Sequence, residues 1–222
     1  MYKFEAIEAA PICARVLQVL LTNAPTRGRP GSTLRTAIGD FIADAYTLLQ
    51  TDQAGAPLNE IFILARETGM EFVGLDAVRQ AAVAETPQTV GAFIIKNALI
   101  EFTLATECEV ISNMTFVSRD DVDVVRNTMN NAFLPMEEIA ADEMAQDTYQ
   151  HLVSLHAALA FHLAQTARPL PRMMNYAFYD TYSSLVMGYR LYSDASRADE
   201  LRAENKIVHP AFMPRSGRAL AD

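Results

Sequence analysis

Cysteine and positive charge are both scarce in this chain. Only Cys13 and Cys108 occur among 222 residues, far apart and without Cys-x-x-Cys spacing. That excludes a zinc ribbon and a dense disulfide framework, and reads most simply as two buried thiols. Lys and Arg together number 18 against 27 Asp and Glu, a formal net charge of -9. A protein that wraps a phosphate backbone needs cations to displace counterions, so general nucleic-acid binding is disfavoured.

Long uninterrupted apolar runs are missing as well. The longest stretch, "VGAFIIKNALIEFTLATECEVI" from Val90, carries Lys96, Asn97 and Glu101, so it reads as a buried helix rather than a membrane span. The start, "MYKFEAIEAAPICARVLQVLLTN", holds Glu5, Glu8 and Arg15 where an export signal would be apolar. The expectation is a protein that is soluble when made. With 50% apolar and 20% charged residues, the chain can bury a full core.

Catalytic and cofactor signatures are equally absent. No phosphate-binding Gly-x-x-x-x-Gly-Lys-Ser/Thr, dinucleotide Gly-x-Gly-x-x-Gly, Gly-x-Ser-x-Gly or His-Glu-x-x-His string occurs. Glu143, Asp147 and His151 share a helical face, but the paired Glu-x-x-His signature of di-iron bundles is lacking, so a solvated polar face is the simpler reading. His151, His156 and His162 do not share a face. The aromatic residues Tyr176, Phe178, Tyr179, Tyr182, Tyr189 and Tyr192 are of a kind that stacks bases or sugars, yet at these spacings they more often supply core and interface contacts. No enzyme activity, cofactor or metal is expected.

What is present is helical periodicity. Residues 5–23 place Ile7, Pro11, Ala14 and Leu17 or Gln18 near one stripe, and "NAPTRGRPGS" then breaks the chain. A second helix is expected with Ser32 as its cap and Leu34, Ile38, Phe41 or Ile42, Ala45 and Leu48 or Leu49 inside. Helices at about 58–67, 72–84 and 88–111 follow. "TFVSRDDVDVV" offers Ser118 as a cap with Asp121 three residues on, at the positive end of the next helix. From there Val122, Val125, Met129, Ala132, Met136 and Ile139 step by three and four as a heptad seam, with a kink or break expected near Phe133–Pro135. Tyr149, Leu152, His156, Leu159 and Leu163 form a second seam, so a helical hairpin or one bent rod is expected. The seams read either as core or as an intermolecular helix contact centred on Met129.

The composition shifts at "TARPLPRMM", where two prolines make a stiff connector. Residues 190–222 hold six basic and five acidic side chains, the only part that is not acidic. The expected domains are therefore a helical one over residues 1–168, dividing again, if at all, near 112–117, and a second over 173–222.

From Tyr179 the chain runs "YDTYSSLVMGYRLYSDASRADELRAENKIVHPAFMPRSGRAL". This resembles a LysM-type module: Asp-Thr, an apolar helix, Tyr-Gly-Asp, a second helix ending in Asn, then Pro and Gly before a closing strand. The resemblance makes Asp180 and Thr181 the cap of the first helix and Leu185, Val186 and Tyr189 its buried face. It places Tyr192 and Asp194 at the turn and second cap, Leu201 inward, and Asn205 at a helix end suited to left-handed geometry. Ser193 replaces the family's Gly, and "RALAD" is a short closing strand. The fold class expected is thus mainly α, a helical bundle or hairpin body followed by a small LysM-like α/β module.

"ARPLPRMMNY" followed by "LVMGYRLYSDASRADELRAENKIVHPAFMP" is also similar to the carboxy-terminal end of the Mu-like phage DNA-circularisation (N) proteins, with Ala211 in place of a Gly. The helical segments "SRDDVDVVRNTMNNAF" and "TYQHLVSLHAALAFHLAQTA" fit that family too, so the resemblance covers about residues 115–222 and leaves the family's amino-terminal domain unmatched. It implies a structural protein of a phage tail baseplate or tail-tip hub, made in the host cytoplasm and carried in the virion. Implied partners are the hub, tape measure, and tube or wedge proteins, together with further copies in a homo-oligomeric ring. Peptidoglycan binding by the LysM-like module and binding of DNA ends are the alternatives. The expected interaction residues are Tyr192, Asp194, Arg197, Arg202, Asn205, Lys206 and His209 in the module, and Met129 in the seam.

Overall fold

A computed structural model describes residues 1–25 and 27–221; Thr26, in the expected first turn, and Asp222, at the end of "RALAD", lie outside the described residues. The protein is mainly helical, with nine α-helices and one two-stranded sheet among the described residues. It divides into two compact units, one of residues 1–114 with 131–159 and one of residues 115–130 with 160–222.

The first unit contains α1 (Lys3–Asn23), α2 (Gly28–Gln50), α3 (Gly55–Glu67), α4 (Phe72–Ala84) and α5 (Val90–Ser112), with parts of α6 (Arg119–Asp142) and α7 (Gln146–Ala167). Helix α1 packs against α2, α4 and α5, and α4 lies along α5. The stripe that α1 buries is Ala6, Ala9, Ile12, Cys13, Val16, Leu17 and Leu20. Ile7 and Pro11 are exposed, contrary to the expected stripe. The small Ala6 and Ala9 let neighbouring helices approach, so the buried face is set by close packing and not by the largest apolar side chains. Helix α2 buries Leu34, Ile38, Phe41, Ala45 and Leu49 as expected. It starts earlier than Ser32, whose hydroxyl instead donates to the Arg29 carbonyl at 2.9 Å. Pro30 falls in the first turn, where a missing N–H costs nothing.

The start of α5 is held by carboxylates from α1. Glu8 accepts from the Thr89 N–H at 3.0 Å and the Thr89 hydroxyl at 2.6 Å, while Glu5 accepts from the Gly91 N–H at 3.0 Å. Negative charge thus sits at the positive end of a helix dipole, and the Glu8 carboxyl is held below its ordinary range by the Thr89 and Gln88 hydrogen bonds. A Cβ on Gly91 would stand 2.8 Å from Glu5 Cβ, which accounts for the glycine. Inside, Arg79 of α4 reaches Glu107 of α5 at 3.1 Å with both side chains buried, and also pairs with Asp76. Later in the unit, the His156 ring stacks on Phe133 at 4.8 Å and its Nδ1 lies 2.8 Å from Glu137 Oε1, joining α7 to α6.

Of the kink or break expected at Pro135, the break does not occur: α6 is continuous through it. Of the first seam, Val122, Val125, Met129, Ala132 and Met136 are buried and Ile139 is partly exposed; of the second, Leu152, Leu159 and Leu163 are buried, His156 is partly exposed, and Tyr149 is exposed, contrary to expectation.

The second unit begins at the α6 start. Ser118 and Asp121 exchange bonds there: the Asp121 N–H donates to Ser118 Oγ at 3.2 Å and the Ser118 N–H to Asp121 Oδ2 at 3.1 Å. This is the capping box the sequence indicates. The connector "RPLPR" is tied down locally. The Arg119 N–H donates to the Pro171 carbonyl at 2.8 Å, the Arg119 guanidinium reaches the Ala167 and Arg168 carbonyls, and Asp120 accepts from the Met173 N–H at 2.6 Å.

After the connector come strand β1 (Met173–Ala177), helix α8 (Ser184–Tyr192), a 3-10 turn (Ala195–Arg197), helix α9 (Ala198–Glu204) and strand β2 (Ser216–Leu220). The strands pair antiparallel, from Met173 opposite Leu220 to Ala177 opposite Ser216. Tyr176, Met187, Leu201, Met213 and Ala219 form the core between sheet and helices, with Phe178, Tyr182, Leu191, Tyr192 and Ile207 packed against it.

Candidate functional site

The interaction residues expected in the carboxy-terminal module fall around its two turns, and most are committed to holding the fold. Asp194 accepts from the Ser196 N–H at 2.8 Å and the Ser196 hydroxyl at 2.7 Å, capping the 3-10 turn that feeds α9. These bonds hold its carboxyl below the ordinary range. Arg197 lies 3.7 Å over the Tyr192 ring and donates to Glu200 at 2.8 Å. Arg202 donates to Asp199 at 2.7 Å and to the Val208 carbonyl at 3.2 Å. These guanidiniums are structural ties first and surface charge second.

Asn205 is the C-cap of α9 with φ -94, so it does not take the left-handed geometry expected of it; Lys206, at φ 53, does. The Asn205 carboxamide instead grips the opposite strand, donating to the Arg218 carbonyl at 2.8 Å and accepting from the Arg218 N–H at 2.9 Å. His209 is exposed, with its ring 5.2 Å from that of Phe212 and its Nδ1 accepting from the Ala211 N–H at 3.3 Å.

Helix α8 reverses the expected orientation. Its N-cap is Ser183, not Asp180 or Thr181, and it buries Ser184, Met187 and Gly188. Gly188 faces α9 because a Cβ there would stand 3.3 Å from the Ala198 backbone nitrogen. Close helix packing therefore selects the small side of α8, and Leu185, Val186 and Tyr189 point outward, 60%, 42% and 65% exposed.

Beside that face, the Ser184 N–H donates to the Pro210 carbonyl at 2.7 Å and the Met213 N–H to the Tyr182 carbonyl at 3.1 Å. The loop carrying exposed Val208 and Phe212 is thereby fixed to the start of α8. The module thus holds Leu185, Val186, Tyr189, Val208 and Phe212 outward. The sequence contained this signal in Leu185, Val186 and Tyr189, but assigning them to the core concealed it.

Met129 is 1% exposed. Five of the six seam residues are buried, with Ile139 partly exposed, and the intramolecular reading is the one the packing supports. Glu143, Asp147 and His151 are exposed, and among the described residues no group of three His, Cys, Asp or Glu side chains is arranged to hold a metal ion. Among the same residues, no helix is long and apolar enough to cross a membrane.

No protein-family model and no curated protein matches the chain.

Proposed function

We propose that this protein is a structural component of a phage tail, in the baseplate or tail-tip hub, and that its carboxy-terminal module docks on a neighbouring tail protein. The observation that carries the docking reading is the outward apolar face of α8, Leu185, Val186 and Tyr189, beside a loop tied to the same helix. Support for the tail reading comes from the resemblance of residues 115–222 to the Mu-like circularisation proteins. Support for a LysM-like module comes from the strand–helix–helix–strand order and from Ser193, left-handed at φ 57 where the LysM pattern has Gly.

The helical body would supply subunit contacts in a closed ring, through surfaces other than the buried seam. Exposed Tyr179, Tyr189 and Phe212 favour one second reading, peptidoglycan binding by aromatic stacking on sugar faces. Arg197 and Arg202 are bound within the module, so the docking reading rests on the apolar side chains of α8 and not on these charges.

The test is incorporation. A Leu185→Asp, Tyr189→Asp protein with an unchanged circular-dichroism spectrum is expected to be missing from purified particles and to keep the isolated fold. Wild-type incorporation of that variant would remove the docking surface, and absence of the wild-type protein from purified virions would remove the tail reading. Retention on purified peptidoglycan, lost in the same variant, would favour the glycan reading instead.

A further inference from the structure

We propose that the outer edge of β1 takes a third strand, supplied by an acidic, extended segment of a partner protein. The sheet has two strands, so each has one edge turned away from the other. Register settles which backbone groups lie there. The Phe178 N–H donates to the Arg215 carbonyl at 2.6 Å and the Ala221 N–H to the Arg172 carbonyl at 2.7 Å, just beyond the two ends of the ladder. Bonding alternates along antiparallel strands. Met174 and Tyr176 therefore bond across to Ala219 and Gly217, while Met173, Asn175 and Ala177 turn their N–H and C=O groups outward.

The two edges are finished differently. On β2, the outward N–H and carbonyl of Arg218 are both taken by the Asn205 carboxamide. On β1, the Met173 N–H is taken by Asp120. Beyond it, the outward backbone groups of Asn175 and Ala177 have no partner among the described residues, and both residues are exposed. An open edge of this kind is a template for pairing with another chain. Met174 adds a second observation. It shares a face of the sheet with Tyr176, which is 5% exposed, yet it is itself 45% exposed. A side chain on a third strand would cover it.

Charge selects the occupant. Asn175 lies opposite Arg218 in the ladder, so these two side chains share the other face of the sheet. Arg218 and, immediately before β1, Arg172 are exposed, and neither has an ion pair among the described residues. A third strand would lie about 10 Å from β2, two strand spacings away, a gap that an arginine and a glutamate side chain bridge together. Glutamates on one face of the added strand would meet Arg218, and apolar residues on its other face would cover Met174. A second copy pairing through its own β1 would instead bring Arg172 and Arg218 toward like charges, which opposes that arrangement. The edge uses none of the α8 side chains, and the inference does not rest on the tail reading.

The full chain is titrated with the peptide acetyl-Glu-Val-Glu-Val-Glu-Val-Glu-amide at constant ionic strength, following backbone amide signals by NMR. Parallel titrations use a peptide with Lys in place of each Glu, and two acidic peptides N-methylated at their glutamates or at their valines. Saturable shifts of the Asn175 and Ala177 amides with the acidic peptide are expected. Binding should be about tenfold or more weaker with the lysine peptide, and lost on methylation of one of the two residue sets, which then reports the direction of the added strand. Arg218→Glu leaves the Asn205 bonds in place, since they are made to the Arg218 backbone; combined with Arg172→Glu it should lower the affinity about tenfold. Absence of saturable shifts with the acidic peptide overturns the proposal whatever the variant does. Equal affinity for the lysine peptide or for both methylated peptides, or an unchanged affinity in a folded double variant, overturns it as well. Shifts of the same amides on dilution of the protein alone would assign the edge to a second copy and so overturn the acidic partner.

Discussion

The Asn205 side chain forms two hydrogen bonds with the backbone of a single residue, Arg218, at 2.8 Å to its carbonyl and 2.9 Å from its N–H. This pairing extends the two-stranded sheet by one side chain, and it ties the end of α9 to β2. A third bond, from Asn205 Nδ2 to the Leu201 carbonyl at 2.8 Å, fixes the carboxamide to its own helix.

Asn205→Ala should therefore cost about 1–3 kcal/mol, the sum of two or three modest net bonds at a partly exposed site. The measurement is amide hydrogen exchange at Arg218 together with urea denaturation of the full chain. Exchange at Arg218 unchanged from wild type would show that the clamp contributes nothing. Gly217 belongs to the same clamp, because a Cβ there would stand 2.1 Å from Asn205 Oδ1 and 2.6 Å from the Tyr176 hydroxyl. Gly217→Ala should accordingly destabilise the module at least as much as Asn205→Ala.

Ser193 should respond in the opposite direction. It caps α8 in the left-handed region at φ 57, where a Cβ meets the neighbouring carbonyl. Ser193→Gly removes that repulsion, and even after the added freedom of the unfolded chain it should stabilise the module by about 0.5–1 kcal/mol. Thermal unfolding checks this, and a lowered Tm would mean that the Ser193 side chain makes a compensating contact.

Met129→Asp separates the two readings of the seam. With Met129 buried in the chain's own packing, an aspartate there is a buried charge without a partner and should cost about 3–5 kcal/mol. The expected result is loss of cooperative unfolding at a lower urea concentration in a protein of any oligomeric state. A variant of normal stability that merely changed oligomeric state would return the seam to the surface.

Glu107 makes stability depend on pH in a particular window. Burial pushes its carboxyl up from 4.5 to about 7, against the lowering pull of Arg79. Between those values the native state keeps a proton that the unfolded chain has released, so the contribution of Glu107 is full below 4.5 and is lost as pH rises through about 7. Glu8 and Glu85, whose carboxyls are held low by hydrogen bonds, act in the opposite sense and lose their contribution only as pH falls below the ordinary range. Urea midpoints measured from pH 5 to pH 8 should decline in the wild-type protein and decline less in Glu107→Gln. Parallel profiles would show that Glu107 stays ionised throughout.

Local chemistry made much of this fold legible. The capping pair Ser118 and Asp121 needs only a three-residue spacing, and the α2 face needs only a 3.6-residue period, so both could be read along the chain. What could not be read is decided by neighbours distant in sequence. Nothing near Gly188 announces that the Ala198 backbone will press against it and turn Leu185 and Tyr189 outward. Strand β1 is five residues long with only Tyr176 buried, too short for an alternating pattern to separate it from its proline-rich approach. The Arg79–Glu107 pair joins residues 28 positions apart on two helices. Pro135 does not end α6 for a related reason, since packing of the surrounding helix outweighs one missing N–H.

Cys13 on α1 and Cys108 on α5 are buried, and burial pushes both thiols up to about 12. Thiolate is the reactive form, so neither sulfur should meet an alkylating or disulfide-forming reagent while the first unit is closed. The rate at which a thiol reagent labels the protein then counts its openings, at two native positions and with no introduced probe. A preparation handled in air should hold its free thiol content for as long as it stays folded, and rising labelling would register damage before any aggregate becomes visible.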